Sequence, residues 1–140
     1  MKLSARNQLQ GTVATVTEGA VNGTVAVKLG QETVVADITM EAIRDLGLET
    51  GKNATVIIKA SNVMIATGTA RITNLSARNQ LAGTVAKVIR GAVNGHVTLE
   101  LAGGGSLTAS ITNAAIDDLG LTEGTPALGI VKATDVMVAV

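Results

Sequence analysis

The chain has no cysteine, phenylalanine, tyrosine or tryptophan, and only one proline and one histidine in 140 residues. Without cysteine there is no disulfide, thiolate metal site or cysteine nucleophile, which suits a reducing compartment without requiring one. Without aromatic rings there is no stacking platform for single-stranded nucleic acid. Eleven basic and eleven acidic residues leave a formal net charge of zero, so there is no bulk attraction for a polyanion or an anionic membrane. The single histidine, His96, has no partner with which to form a metal cluster or a nucleophile–base pair, and no enzyme constellation is visible. No apolar run reaches membrane-spanning length, and Met1-Lys2-Leu3-Ser4-Ala5-Arg6 carries no apolar signal core. The expectation is a free-standing cytoplasmic protein with no nucleic-acid or membrane partner.

What is present is a duplication. Leu3-Ser4-Ala5-Arg6-Asn7-Gln8-Leu9 returns 72 residues later as Leu75-Ser76-Ala77-Arg78-Asn79-Gln80-Leu81, and Gly19-Ala20-Val21-Asn22-Gly23 returns as Gly91-Ala92-Val93-Asn94-Gly95. One extra residue in the Gly103-Gly104-Gly105 stretch moves the offset to 73, where Lys59-Ala60 meets Lys132-Ala133. Residues 3–29 match 75–101 at 19 of 27 positions, and residues 38–66 match 111–139 at 16 of 29, so each copy can be read against the other. The domain expectation is residues 1–66 and 75–140, joined by a small polar linker at 67–74.

Comparing the copies sorts the polar residues. Only Arg6/Arg78 and Lys59/Lys132 stay basic in both, while Lys28 becomes Glu100, Glu18 becomes Arg90 and Arg44 becomes Asp117, the drift expected of exposed charges. Ser4/Ser76, Asn7/Asn79, Gln8/Gln80, Asn22/Asn94 and Thr39/Thr112 persist as neutral polar pairs.

Each unit of about 65 residues buries only a modest core, built here from Val, Ile, Leu, Ala and Met. A mean hydropathy of +0.41 exceeds what two such cores need, so the copies are expected to pack together and the chain to oligomerise. Apolar alternation predicts strands over 11–17, 24–29, 33–38, 54–60 and 63–66, with loops at 19–23 and 30–31. Between the third and fourth strands, Thr39 can cap a short helix with Met40, Ile43 and Leu46 on one face and Gly47 as its stop. Copy two repeats the pattern. The fold class expected is mainly β: two tandem five-stranded barrels of the oligonucleotide/oligosaccharide-binding (OB) type, each with one short helix.

The recurring polar residues are hydrogen-bond donors. Ser4, Ala5 and Arg6 precede the first strand, where backbone amides are not all used in a ladder and the guanidinium offers a planar fork. Lys59 ends an apolar strand, so its ammonium can emerge at the barrel rim, and Thr39 adds a hydroxyl at a helix start. Such a set suits a tetrahedral dianion, which has acceptors and no donor. The same residues can also be read as solvated strand-end charges and a turn, and spacing alone leaves both open.

Ser4-Ala5-Arg6-Asn7-Gln8-Leu9 with Gly11-Thr12-Val13, then Glu18-Gly19-Ala20-Val21-Asn22, then Val56-Ile57-Ile58-Lys59-Ala60-Ser61-Asn62-Val63, resembles the molbindin family of molybdate-binding proteins, each copy being similar to a Mop or TOBE domain. The resemblance spans nearly the whole chain. It implies non-catalytic binding and intracellular storage of molybdate or tungstate, with no organic cofactor, in a trimer that holds anions at domain and subunit interfaces. Carried over, the principal site uses Ser4, Ala5, Arg6, Lys59, Ala60 and Thr39 in one copy. In the other it uses Ser76, Ala77, Arg78, Lys132, Ala133 and Thr112. A second class of site, near the threefold axis, would use Gly19, Ala20, Val21 and Asn22 with Gly91, Ala92, Val93 and Asn94, residues that also suit a tight turn. Ala42, Ala115, Ala60 and Ala133 stand where relatives can have hydroxyls, which lowers the donor count. General sulfate or phosphate binding, and a ligand-sensing module tied to molybdate transport or regulation, are the alternative readings.

Overall fold

A computed structural model describes residues 2–140. Each copy follows the order strand, strand, strand, helix, strand, 3-10 turn, strand. The first contains β1 (Asn7–Thr17), β2 (Asn22–Leu29), β3 (Glu32–Thr39), α1 (Met40–Asp45), β4 (Asn53–Ile58) and β5 (Met64–Thr67). The second contains β6 (Asn79–Arg90), β7 (Asn94–Leu101), β8 (Ser106–Thr112), α2 (Asn113–Asp118), β9 (Pro126–Val131) and β10 (Met137–Ala139). The 3-10 turns Ala60–Asn62 and Ala133–Asp135 precede β5 and β10. Two curled, five-stranded, OB-like sheets result.

The first strand begins four residues before the predicted 11. Asn7 and Val13 face inward while Gln8, Gln10 and Thr12 face out, so the strand period already runs through polar sequence. Residues 7–12 pair antiparallel with β4. A bulge between Val13 and Thr15, repeated between Val85 and Lys87, breaks the register with the next strand and lets the long strand bend around the core. Each helix is capped as expected: the Thr39 hydroxyl accepts the Ala42 N–H at 3.1 Å, and the Thr112 hydroxyl accepts that of Ala115 at 3.0 Å. Gly47 and Gly120 follow with φ near +60°, the left-handed conformation that ends a helix.

The fifth strands do not close their own copies, as the sequence pattern suggested. One sheet runs β10-β4-β1-β2-β3 and the other β5-β9-β6-β7-β8, so each half takes its last strand from the other. Met137, Val138 and Ala139 stand opposite Ile57, Val56 and Thr55, while Met64 to Thr67 stand opposite Ile130 to Ala127. Alternation specifies which face of a strand is buried, not which of two similar edges it joins. The exchange merges the cores: Val13, Val25, Val56 and Ile58 belong to one buried cluster with Val85, Leu99, Leu107 and Ile116.

Candidate functional site

Exchange also brings residues of both copies to one place. Leu3, Ser4, Ala5 and Arg6, just ahead of β1, meet Lys59, Ala60 and Ser61 at the end of β4, together with His96 and Met137 of the second copy. They line a cavity of about 400 Å³. Ser76, Ala77 and Arg78 meet Lys132, Ala133 and Thr134 around a smaller cavity of about 180 Å³. Residues more than fifty positions apart in the chain are thus joined twice, in the same combination.

Local structure explains the arrangement. Lys59 and Lys132 are the extended residues immediately before the 3-10 turns, whose first N–H groups have no acceptor inside the turn. The strand ending at Ile58 is buried and apolar, so the exposed lysine leaves the core at its last step. Gln8 Nε2 donates to the Leu3 and Ala5 carbonyls at 3.2 and 3.1 Å, tying the Ser4 segment back to its strand. Gln80 does the same through the Ala77 carbonyl at 3.2 Å and also exchanges bonds with Ile72 of the connecting segment. Arg6, Lys59, Arg78 and Lys132 pair with no carboxylate among the described residues, so their donors remain available to a ligand.

Thr39 and Thr112 line neither cavity. Thr39 instead stands opposite Asn22, and Thr112 opposite Asn94. The Val21 carbonyl accepts the Met40 N–H at 2.8 Å, and the Val93 carbonyl accepts the Asn113 N–H at the same distance, so each Gly-Ala-Val-Asn loop is seated on a helix start. Gly91 N–H donates to the Asn94 carbonyl at 2.8 Å, a turn contact. Within one chain, therefore, the residues carried over fall into two groups: Ser-Ala-Arg with Lys-Ala, and Gly-Ala-Val-Asn with Thr.

Sequence reasoning left out Leu3, Ser61, His96, Met137 and Thr134 as cavity residues and gave Gln8 and Gln80 no role. Persistence of the glutamines in both copies was the available signal. His96 gave none, because its counterpart is Thr24 and its approach to Arg6 and Lys59 depends on how the two copies pack.

A tandem pair of small OB-like β-units with a basic, donor-rich cavity on each defines the class. The TOBE domain family matches residues 3–65 and 75–138, and the chain belongs to that family. It is 47% identical over 141 residues to the Molybdenum transport protein ModE of Herbaspirillum seropedicae, covering 100% of this chain and 52% of that relative. It is 41% identical over 140 residues to the Molybdenum-pterin-binding protein MopA of Rhodobacter capsulatus, again 52% of the relative. The chain thus spans about half the length of these curated relatives. Molybdenum-pterin-binding protein 3 of Clostridium pasteurianum matches a single copy, 48% identical over 65 residues and 96% of that protein. Among solved structures, the cytoplasmic molybdate-binding protein ModG with molybdate bound superposes with a TM-score of 0.95 at 42% identity, covering 100% of this chain and 99% of that one.

Proposed function

We propose that this protein binds molybdate, or the isosteric tungstate, as the free oxyanion and without catalysis, through Ser4, Arg6 and Lys59 and their counterparts Ser76, Arg78 and Lys132. The observation that carries this reading is the twofold meeting of the Ser-Ala-Arg segment with Lys-Ala around a cavity that contains no carboxylate among the described residues. Hydroxyl, guanidinium, ammonium and backbone N–H groups are all donors, and charge-assisted bonds from such groups satisfy a tetrahedral dianion. Likeness over the full chain to a molybdate-bound protein supports the same ligand. Cytoplasmic storage and buffering of the anion is the biological role we assign.

The assembly we propose is a trimer. Val21 and Val93 are 75% and 72% exposed at the tips of their loops, and Met64, Met137 and Ile89 are also exposed, an apolar surface suited to subunit contact. Thr39 and Thr112, which line neither of the chain's own cavities, are then available to complete a neighbour's.

A second reading is a ligand-sensing half of a larger regulator of molybdate transport. It is favoured by the 47% identity to a molybdenum transport protein of which this chain spans 52%. Both readings share the same binding step.

Calorimetric titration with molybdate, repeated in excess sulfate and in excess phosphate, tests that step. Uptake that survives both competitors supports a molybdate or tungstate site, whereas uptake erased by either reduces the protein to a general oxyanion binder. Light scattering on the same sample tests the assembly, a trimer of 14.1 kDa chains having a mass of about 42 kDa.

A further inference from the structure

The two cavities share their donor residues but not their surroundings. His96 lies on β7, opposite Ile89 of β6 and Ser110 of β8, on the face away from buried Gly95 and Val97, and it lines the first cavity. At the matching registers of the first copy, Thr24 stands opposite Asp37. An imidazole facing a hydroxyl in one half is therefore replaced by a hydroxyl facing a carboxylate in the other. The lining of the second cavity, Ser76 to Arg78 with Lys132 to Thr134, holds no histidine, so His96 is a titratable group that the first cavity has and the second lacks.

The groups facing His96 can be named. Arg6 and Lys59 share its cavity. On β6, Lys87 is one diagonal step away, opposite Thr98. On β8 the neighbours Thr108, Ser110 and Thr112 carry only hydroxyls. Glu100 lies four residues further along β7, and Asp117 of α2 is engaged by Arg90. No carboxylate lines the cavity among the described residues, so the acidic partner available to an imidazolium there is the bound anion itself.

We propose that His96 makes the first cavity a proton-linked oxyanion site, in which binding of the dianion draws a proton from solvent onto the imidazole. That cavity then binds more tightly as pH falls, while the second, whose lining holds no histidine, gains nothing. The inference rests on the oxyanion-binding function proposed above. Physically, histidine is the side chain that changes charge between about pH 5 and 8. A proton taken up on binding tightens binding on the acid side by linkage, with a ceiling of about tenfold per pH unit for one proton. Imidazolium also supplies a charge-assisted donor that neutral histidine or threonine lacks. The two sites of one chain would then fill unequally, the first ahead of the second, and increasingly so toward acid.

Calorimetric titration of molybdate at about pH 6 and about pH 8, each in two buffers of different ionisation enthalpy, reads both affinity and proton uptake. The wild-type chain should show one class of site that tightens several-fold at the lower pH with net proton uptake. His96→Gln should lose both effects, and so should His96→Thr, which restores the residue the twin strand already tolerates and so guards against a folding defect. Any titration of the anion itself is common to all three proteins and cancels. Equal proton uptake and equal pH dependence in wild type and both variants would overturn the role of His96 while leaving the binding function standing. Absence of molybdate uptake by the wild type at either pH would overturn both.

Discussion

The Asn7 carboxamide makes two hydrogen bonds to the backbone of Thr108, which belongs to the other sheet: Oδ1 accepts its N–H and Nδ2 donates to its carbonyl, both at 2.8 Å. Asn79 repeats this with Val35, again at 2.8 Å in both directions. Thr108 and Val35 lie on β8 and β3, the outermost strands of their sheets, so each asparagine acts as a ladder partner for an edge that would otherwise present open N–H and carbonyl groups. Both asparagines are buried, at 3% and 2% exposure. Replacing Asn7 with alanine removes both bonds and strands the backbone groups of Thr108. Urea denaturation should show a loss of about 2 to 4 kcal/mol, with Asn79→Ala costing a similar amount. A loss below about 0.5 kcal/mol would mean that water replaces the carboxamide without penalty.

Strand exchange predicts where damage appears. Deleting residues 137–140 removes β10 from the second copy's sequence, yet the strand that loses a neighbour and becomes a sheet edge is β4 of the first copy, which keeps β1 on its other side. Hydrogen exchange should therefore accelerate at amides of Asn53–Ile58 while β9 stays protected by β5 and β6. Acceleration confined to β9 would contradict the exchanged topology.

The cores of the two copies balance volume differently. Val27, Val34 and Val56 of the first correspond to Leu99, Leu107 and Gly129 of the second. A Cβ added at Gly129 would lie 2.6 Å from Leu107 Cδ2 and 3.3 Å from Leu99 Cδ1, so the two leucines already occupy the space a side chain would need. Gly129→Val should destabilise by about 1 to 3 kcal/mol through overpacking. Adding Leu107→Val, which recreates the first copy's Val34 and Val56 pair while leaving Leu99, should recover part of that loss. A double-mutant cycle with no coupling would show that the backbone, not Leu107, absorbs the added methyl groups.

If Lys59 and Lys132 hold the anion, molybdate should raise the unfolding temperature of the wild type, since a ligand that binds only the native state stabilises it by mass action. Lys59→Ala combined with Lys132→Ala should abolish most of that rise. Both side chains are exposed and make no ion pair among the described residues, so stability without ligand and the oligomer should be retained. An undiminished shift in the double variant would remove the lysines from the site.

Much of the fold was legible because its signals are local. Alternating Val-x-Val patterns, the Thr39 cap and the Gly47 stop each act within a few residues, and all appear where expected. The start of β1 was less legible: Asn7, Gln8 and Gln10 are poor strand formers taken singly, and their alternation gains meaning only once Asn7 has Thr108 to bond. The drift of surface charges also looks different in three dimensions. Glu18 and Arg44 change sign together, to Arg90 and Asp117, and those two residues form an exposed ion pair. The sequence comparison presented two independent substitutions, because a separation of 27 positions between Arg90 and Asp117 conceals their contact.

By itself the sequence determined the duplication, an aliphatic core without rings, the strands and helix of each copy, and a recurring set of donors with no acid among them. These are properties of residue type and short-range period. Only the tertiary structure decided which copy receives β5 and β10, and with it that His96 and Met137 join Arg6 and Lys59 at one cavity. The physical reason is degeneracy: two copies this similar offer two nearly equivalent sheet edges, and a period of two cannot distinguish them. The choice rests on non-local contacts, the 3-10 turn packing across onto the other half and the asparagines closing its edge, whose energies exist only once both halves have folded together.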